Sequence, residues 1–366
     1  MLALGLVVAS ATLEAHEKML ARHMPLGFGF WHQTAGFDIE QALIPFAASS
    51  STYGTAFLVG LLNTLLVAAL GIALATILGF VIGIARLSRN FVVARLSAAY
   101  VEMFRNIPLL LQLLFWYNAI LRPLPAPRQS LHLPLGAVLN NRGLMLPGPH
   151  VAPGAWPVAL ALVLGLVLGL GLLGAARRAK RLTGVSSGLG WWGLALAIAL
   201  PTGAFMVFGP PLHFTMPQLQ GFNYVHGVSL YPELIALLLG LSLYTAAFIA
   251  EIVRAGIQSV AKGQREAAAA LGLSPALILR LIVVPQALRV IIPPLTNQYL
   301  NLTKNSTLAV AIGYPDLAQV FMGTVLNQTG AAVQIVFITM GVYLAISLFT
   351  ALAMNLWNQR AALHER

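Results

Sequence analysis

The chain has no cysteine, so neither a disulfide framework nor a thiolate metal site is available to it. It is also poor in charge. Only 8% of its 366 residues are Asp, Glu, Lys or Arg, where a soluble domain carries about 25%. So few charges cannot clothe a water-facing surface of this size. Acidic residues are the scarcer kind, 10 against 21 basic, for a net charge of +11. Three motifs are missing as well: a G-x-x-x-x-G-K-[ST] phosphate loop, a His-Glu-x-x-His pair and a Gly-x-Ser-x-Gly elbow. Their absence removes the usual ways of holding ATP, of zinc hydrolysis and of serine catalysis from this chain. Energy for any work must come from a partner or from an ion gradient. The histidines show no ligand spacing, and His132, His150, His213 and His226 read as solvated loop residues.

What the chain has instead is long apolar runs, 58% of it being hydrophobic. A helix needs about 20 such residues to cross a bilayer. Gly54 to Ala85, Ala98 to Leu121, Ala155 to Ala176, Gly190 to Gly209, Leu230 to Ile257, Val290 to Ile312 and Val333 to Trp357 qualify. Leu2 to Leu13 is a weaker candidate. It is short for a span and lacks the basic start of a signal peptide, although Ala9-Ser10-Ala11 resembles a cleavage site; it is read as a span.

The basic residues lie between these runs, in alternate loops. Arg86, Arg89 and Arg95 share one loop, Arg177, Arg178, Lys180 and Arg181 another, and Lys262, Arg265 and Arg280 a third. Pro210 to Ser229 and Gly313 to Ala332 have none, and Arg122, Arg128 and Arg142 are the exception in a Pro-rich loop. This is the positive-inside bias of cytoplasmic loops rather than a nucleic-acid surface. The expected fold is all-α and polytopic, with about eight transmembrane helices and both termini in the cytoplasm. Gly79 with Gly83, and Gly165 with Gly169, form GxxxG patterns that predict close helix packing within one chain.

One basic loop has a defined shape. Gln264 to Leu271 holds only strong helix formers. Gly272 can supply a left-handed cap and Pro275 blocks resumption. Ala276 to Val284 then forms a second apolar stretch, expected to lie at the membrane surface and to close at Pro285. Ala267, Ala268 and Gly272 make a small-residue face that another protein can approach closely.

The order Glu266-Ala267-Ala268, three residues, Gly272, nine residues, Ile282, then Pro285 resembles the EAA signature of ABC importer permeases, with Val284 where the family has Leu. Further stretches resemble the polar amino-acid branch. They are Phe104-Arg105-Asn106-Ile107-Pro108-Leu109-Leu110-Leu111-Gln112, with Asn106 and Ile107 as departures, and Ala247 to Ile257. Pro285 to Arg289, Pro293 to Gln298, Asn301 to Thr307 and Gly313 to Leu317 add to the likeness, which is greatest to the longer permease of general L-amino-acid importers.

The resemblance implies a five-helix type I core in two parts, 54–121 and 230–366. An N-terminal addition (1–53) and an insertion of a periplasmic loop, two spans and a basic loop (122–229) complete the chain. It makes 262–285 the coupling segment that docks on a separate ATPase through Glu266, Ala267, Ala268, Gly272, Ile282 and Pro285. It implies a bacterial inner-membrane complex with a second related permease, two ATPase subunits and a periplasmic binding protein. ATP and Mg are held by the ATPases and no cofactor by this chain. The solutes are polar L-amino acids, acidic ones and their amides included.

Charges inside spans are costly and kept for a reason. Glu251 and Arg254 lie three apart and can pair on one helix face, as a fold lock or as a gate between permeases. Lys304 sits in an otherwise uncharged stretch, followed by Asn305, Ser306 and Thr307, a run that favours a helix break. Broken helices at membrane depth suit charged substrate groups. Lys304 can attract a carboxylate and Asp316 an ammonium; alternatively Lys304 braces carbonyls and Asp316 faces water. Gln112, Asn297 and Gln298 bridge helices or line the pathway, and Glu102 with Arg105 anchors a span end. The rival to an ATP-driven importer is an ion-gradient secondary transporter, which should show paired broken helices. The sequence offers one break, at Lys304. An intramembrane enzyme should show paired acids or histidines at like depth, and none stand out.

Overall fold

Inside lipid a backbone N–H or C=O has only the chain's own groups to bond, and a helix satisfies them internally. The apolar runs fold accordingly in the computed structural model, which describes residues 27–152, 155–184, 188–210 and 212–362. The helices are α1 (Tyr53–Ala85), α2 (Phe91–Asn106), α3 (Leu109–Leu114), α4 (Ala155–Thr183), α5 (Leu189–Phe208), α6 (Pro232–Gln258), α7 (Lys262–Ala270), α8 (Pro275–Ile312) and α9 (Ala332–Ala362). Among the described residues six are long and apolar enough to cross a membrane: α1, α4, α5, α6, α8 and α9. The expected span Leu2 to Leu13 lies outside the described residues.

The chain forms two compact units. One holds the described residues up to Pro123 and from Tyr231 onward, the other Leu124–Leu230. In the first, α1 lies along α6 because glycine lets the backbones meet. A Cβ on Gly79 would fall 2.5 Å from Ile249 Cγ2, and one on Gly83 would fall 2.7 Å from the Ala250 carbonyl oxygen. The GxxxG pattern thus serves packing within the chain, as expected. A cluster of Phe30, Tyr53, Leu317, Phe321 and Ile335 closes one end of α1, with the Phe57 and Phe321 rings 5.3 Å apart.

The expected single span from Ala98 to Leu121 is broken. α2 stops at Asn106 and Ile107 is extended (φ −92°, ψ 125°). The ring of Pro108 crowds the residue before it out of the helical region. The chain resumes as α3 and widens into a π turn over Phe115–Leu121. Gln112, 4% exposed, mends the gap: its Nε2 donates to the carbonyls of Phe104 and Ile107, each at 2.9 Å.

Pro285 does not close a surface helix as the sequence suggested. α8 runs through it, and through Pro293 and Pro294, to Ile312. A proline inside a helix removes one bond and pushes on the carbonyl four residues back. Here the ladder loosens into a π turn at Leu279–Val283, immediately before Pro285, which gives the ring room. At its far end α8 tightens into a 3₁₀ turn, Ser306–Ile312, and stops on Gly313 at φ 77°.

In the second unit α4 and α5 form a hairpin. Gly169 faces Gly193, and a Cβ on Gly169 would sit 2.7 Å from the Gly193 oxygen. The flanking stretches, read from sequence as loops, contain strands β1 (Leu131–His132), β2 (Val138–Asn140), β3 (Gly143–Leu146), β4 (Gly148–Val151), β5 (Leu212–Thr215), β6 (Gln218–Gln220), β7 (Asn223–Val225) and β8 (Val228–Leu230). They make an antiparallel sheet of order β1-β2-β3-β8 and two ribbons, β4-β5 and β6-β7. β3 meets β8 across the whole α4–α5 excursion, with Leu144 opposite Leu230. Runs of two to four residues carry no readable alternation, so these strands left no mark in the sequence.

Candidate functional site

The loop between α6 and α8 has the shape its residues dictate. α7 ends in a Schellman cap. The Leu273 N–H donates to the Ala268 carbonyl at 3.2 Å, the Gly272 N–H donates to the Ala269 carbonyl at 2.9 Å, and Gly272 takes φ 78°. The Arg265 guanidinium donates to the Ile257 carbonyl at 2.7 Å, which ties α7 to the end of α6. The expected small-residue face is divided. Ala268 is 4% exposed and packs on its own chain, whereas Glu266, Ala267, Ala270 and Gly272 are exposed. Leu271, at the tip, is 82% exposed. A Cβ on Gly272 would meet nothing within 4 Å. Ile282 is half-buried and Pro285 exposed, both near the start of α8.

Glu251 pairs with Arg254, as their spacing predicts, with Nε at 3.3 Å and Nη2 on the second oxygen. The structure adds a partner that the sequence reading missed. Arg86, capping the end of α1, also pairs with Glu251. Arg254 donates onward to Gln258 at 2.5 Å. Two helices are therefore joined through one carboxylate. Arg105 stacks over the Phe248 ring of α6, 5.1 Å from its centroid, and Glu102 is exposed.

The helix does not break around Lys304 as expected but changes its winding: regular α8 ends at Asn305 and continues as a 3₁₀ turn from Ser306 to Ile312. Ser306 is fully buried and donates to the Thr303 carbonyl at 2.7 Å. Asn305 and Thr307 are half-buried, and the Thr307 hydroxyl donates to the Lys304 carbonyl at 2.8 Å. Asn297, Asn301 and Lys304 are all exposed, at steps of four and three along one face of α8. Gln298 is half-buried. Lys304 forms no ion pair among the described residues and lies on an open groove of about 650 Å³. Val310, Met322, Thr339, Met340 and Tyr343 line the rest of that wall.

Asp316 does not face water. It is fully buried, accepting the Gln319 N–H at 2.8 Å and the Tyr343 hydroxyl at 3.0 Å. Around it the Asn63 amide donates to the Gln41 and Pro315 carbonyls at 2.7 and 2.9 Å, and the Leu317 N–H donates to Thr64 Oγ1 at 3.0 Å. The segment after α8 is thus stitched to α1, and the Asp316 carboxylate takes up the Gln319 N–H in the first turn of the helical segment Ala318–Val325. Burial pushes the Asp316 carboxyl up to about 6, against the opposing pull of the Gln319 N–H and the Tyr343 hydroxyl. A carboxyl raised on folding binds its proton more tightly in the native state. Its contribution is fully present below about pH 4 and is lost as pH rises through about 6. The expected loss is roughly 1 to 2 kcal/mol between those values. Asp316→Asn should flatten that part of the profile, and thermal unfolding in detergent across pH 4 to 7 reads it.

Among the described residues no three His, Cys, Asp or Glu side chains gather to hold a metal. Residues 71–363 match the family described as binding-protein-dependent transport system inner membrane component. The general L-amino acid transport system permease protein AapQ of Rhizobium johnstonii is 54% identical over 340 residues, spanning 93% of this chain and 84% of that one. The putative amino-acid ABC transporter permease protein YhdX of Escherichia coli is 52% identical, over 94% and 88% of the two chains. The glutamate/glutamine/aspartate/asparagine transport system permease protein BztB of Rhodobacter capsulatus is 42% identical, over 96% and 89%. A crystal structure of an amino acid ABC transporter with histidines shares the fold, with a TM-score of 0.50 at 21% identity over 84% of this chain and 95% of that one. The match over residues 71–363, with relatives above half identity along most of both chains, makes this protein a member of the binding-protein-dependent transport system inner membrane component family, a permease subunit of an ABC transporter.

Proposed function

We propose that the chain is one of two related permeases that together form the pathway for L-amino acids in an ATP-driven importer. The observation that carries the reading is the loop at α7. Its capped helix is fixed to α6 through Arg265 and presents Glu266, Ala267, Ala270, Leu271 and Gly272 outward. A short rigid helix with a small-residue face and an apolar tip fits a groove of another protein. That protein is the ATPase, which holds ATP and Mg. Closure of two such subunits pulls on α7 and, through Ile257 and Pro275, on α6 and α8. Ile282 and Pro285 belong to the same lever. The basic residues of the loops around Arg86 and Lys262 support a cytoplasmic side for this end in a bacterial inner membrane, with both termini on that side as part of the same reading.

A periplasmic binding protein delivers the solute. The relatives carry names of general L-amino acid transport and of glutamate, glutamine, aspartate and asparagine transport, and a broad polar range is the reading for this chain. Asn297, Lys304, Asn305 and Thr307 lie along the proposed pathway, while Gln112, Ser306 and Asp316 hold its walls. The test is uptake by the whole complex in proteoliposomes with a panel of labelled L-amino acids. Uptake should require internal ATP and external binding protein. Accumulation driven by a proton or sodium gradient without ATP would establish the secondary-transporter reading instead.

A further inference from the structure

Residues 124–230, the second unit, carry no Asp or Glu. Their cations are concentrated. Arg177, Arg178, Lys180 and Arg181 lie in the last turns of α4, and all four are exposed. The uncharged run from Ala155 to Ala176 is about 33 Å long as a helix. That fills a hydrocarbon core of about 30 Å, so Arg177 opens the part of α4 that stands at headgroup depth. Residues three and four apart share a helix face. Arg177 therefore neighbours Lys180 and Arg181, and Arg178 neighbours Arg181. Cations this close repel one another, and their own unit has no carboxylate to offset them.

A second feature lies at the same depth. A Cβ on Gly190 would sit 3.8 Å from both Ala176 Cβ and Leu173 Cδ2, so α5 starts beside the turn that precedes Arg177. Trp191 and Trp192 follow at once, 79% and 69% exposed. An indole at this level sets its ring against acyl chains and its N–H toward ester or phosphate oxygens. Orienting the hairpin across the membrane requires the charges alone and gives two exposed indoles no role. A lipid headgroup beside the basic turn engages both.

We infer that this end of the α4–α5 hairpin binds an anionic phospholipid. The guanidinium groups of Arg177, Arg178 and Arg181 hold the phosphodiester, which suits their forked donors, and Lys180 adds a point charge. Trp191 and Trp192 flank the glycerol region, and the acyl chains run along the apolar hairpin. A zwitterionic lipid brings its own ammonium to the phosphate, which four cations repel, so the site prefers a headgroup with net negative charge. The hairpin offers this site whichever side of the membrane its loop faces.

The absence of cysteine permits a local probe. Leu182→Cys, at a position 77% exposed beside the basic turn, carries a fluorophore in the whole complex, its partner subunits freed of cysteine. The complex sits in nanodiscs that contain phosphatidylglycerol or phosphatidylcholine spin-labelled near the carbonyl end of one chain. Half-quenching should need about tenfold less of the phosphatidylglycerol, the effect of one to two cations at a membrane surface, and the preference should shrink severalfold at high salt. Arg178→Gln leaves three cations to orient the hairpin and should lower the preference about threefold. Arg178→Gln/Arg181→Gln should bring it near parity, and Arg178→Lys/Arg181→Lys should keep most of it. Equal quenching by the two lipids in the unmodified complex overturns the inference, as does a preference unchanged in both glutamine variants or lost equally in the lysine variant. Relief of quenching by soluble glycerol phosphate would make this a site for free phosphate instead. Loss of the ATPase subunits from Arg178→Gln/Arg181→Gln would make the turn a contact for an acidic protein surface. Either result removes the lipid site.

Discussion

Gly272→Arg should leave the chain folded in the membrane and reduce ATP-driven uptake at least about tenfold, a loss of 1.4 kcal/mol or more of coupling. The separation of the two effects follows from the geometry. Gly272 has φ 78°, and a Cβ there would meet nothing within 4 Å of this chain. Alanine or arginine suffers about 1 to 2 kcal/mol of left-handed strain at the cap, which α7 shares with the bonds from Leu273 and Gly272 back to Ala268 and Ala269. The arginine itself clashes with nothing in the permease. Its bulk and charge enter the space that the proposed ATPase groove occupies. Gly272→Asn is the control, because asparagine tolerates the left-handed region and adds little volume. The predicted order of uptake is Gly, then Asn, then Ala, then Arg. Membrane-fraction yield, ATPase stimulated by binding protein and uptake should be measured on the same preparations. Normal uptake by Gly272→Arg, with the complex intact, would rule out docking at this tip.

Parts of this site were legible from the residues alone because the chemistry is local. Helix formers up to Leu271, a glycine at 272 and a proline at 275 define a helix and its stop without reference to the rest of the fold. The three-residue step from Glu251 to Arg254 likewise encodes its own pair. Spans were legible because length and apolarity suffice for a bilayer. What escaped depended on distant partners. Ala268 reads as part of an open face, but it is the side of α7 that packs on the rest of the chain. Arg86 read as a loop charge because Glu251 is 165 positions away. Asp316, in a segment without basic residues, reads as an ammonium site or as solvated, because nothing local reports that Tyr343 covers it. Pro108 and Pro285 carry the same covalent constraint and had opposite outcomes. The first broke a helix that a glutamine then mended; the second was absorbed by a π turn.

Glu251→Ala should destabilise the protein by about 2 kcal/mol, more than loss of either arginine. The carboxylate is the only acidic member of the cluster with Arg86 and Arg254. Its removal leaves two guanidinium groups facing one another. Removing one partner of a fully buried pair costs about 3 to 5 kcal/mol. Here the three side chains are 16%, 27% and 29% exposed, so water screens part of the repulsion and the smaller figure applies. Arg86→Ala should cost about 1 kcal/mol, because Arg254 still neutralises Glu251. In the double variant Arg86→Ala/Glu251→Ala the repulsion is gone, so the two losses should not add; a cycle on thermal unfolding in detergent measures the difference. Additive losses would mean that Glu251 acts through Arg254 alone. The position of the cluster gives the measurement a second use. It lies on α6 less than three turns before Ile257, whose carbonyl holds Arg265 and hence α7. A carboxylate that fastens α1 to α6 at that point makes the two helices move as one when α7 is pulled. Uptake in Glu251→Ala should then fall further than its remaining folded fraction explains, and uptake in strict proportion to that fraction would confine Glu251 to holding the fold together.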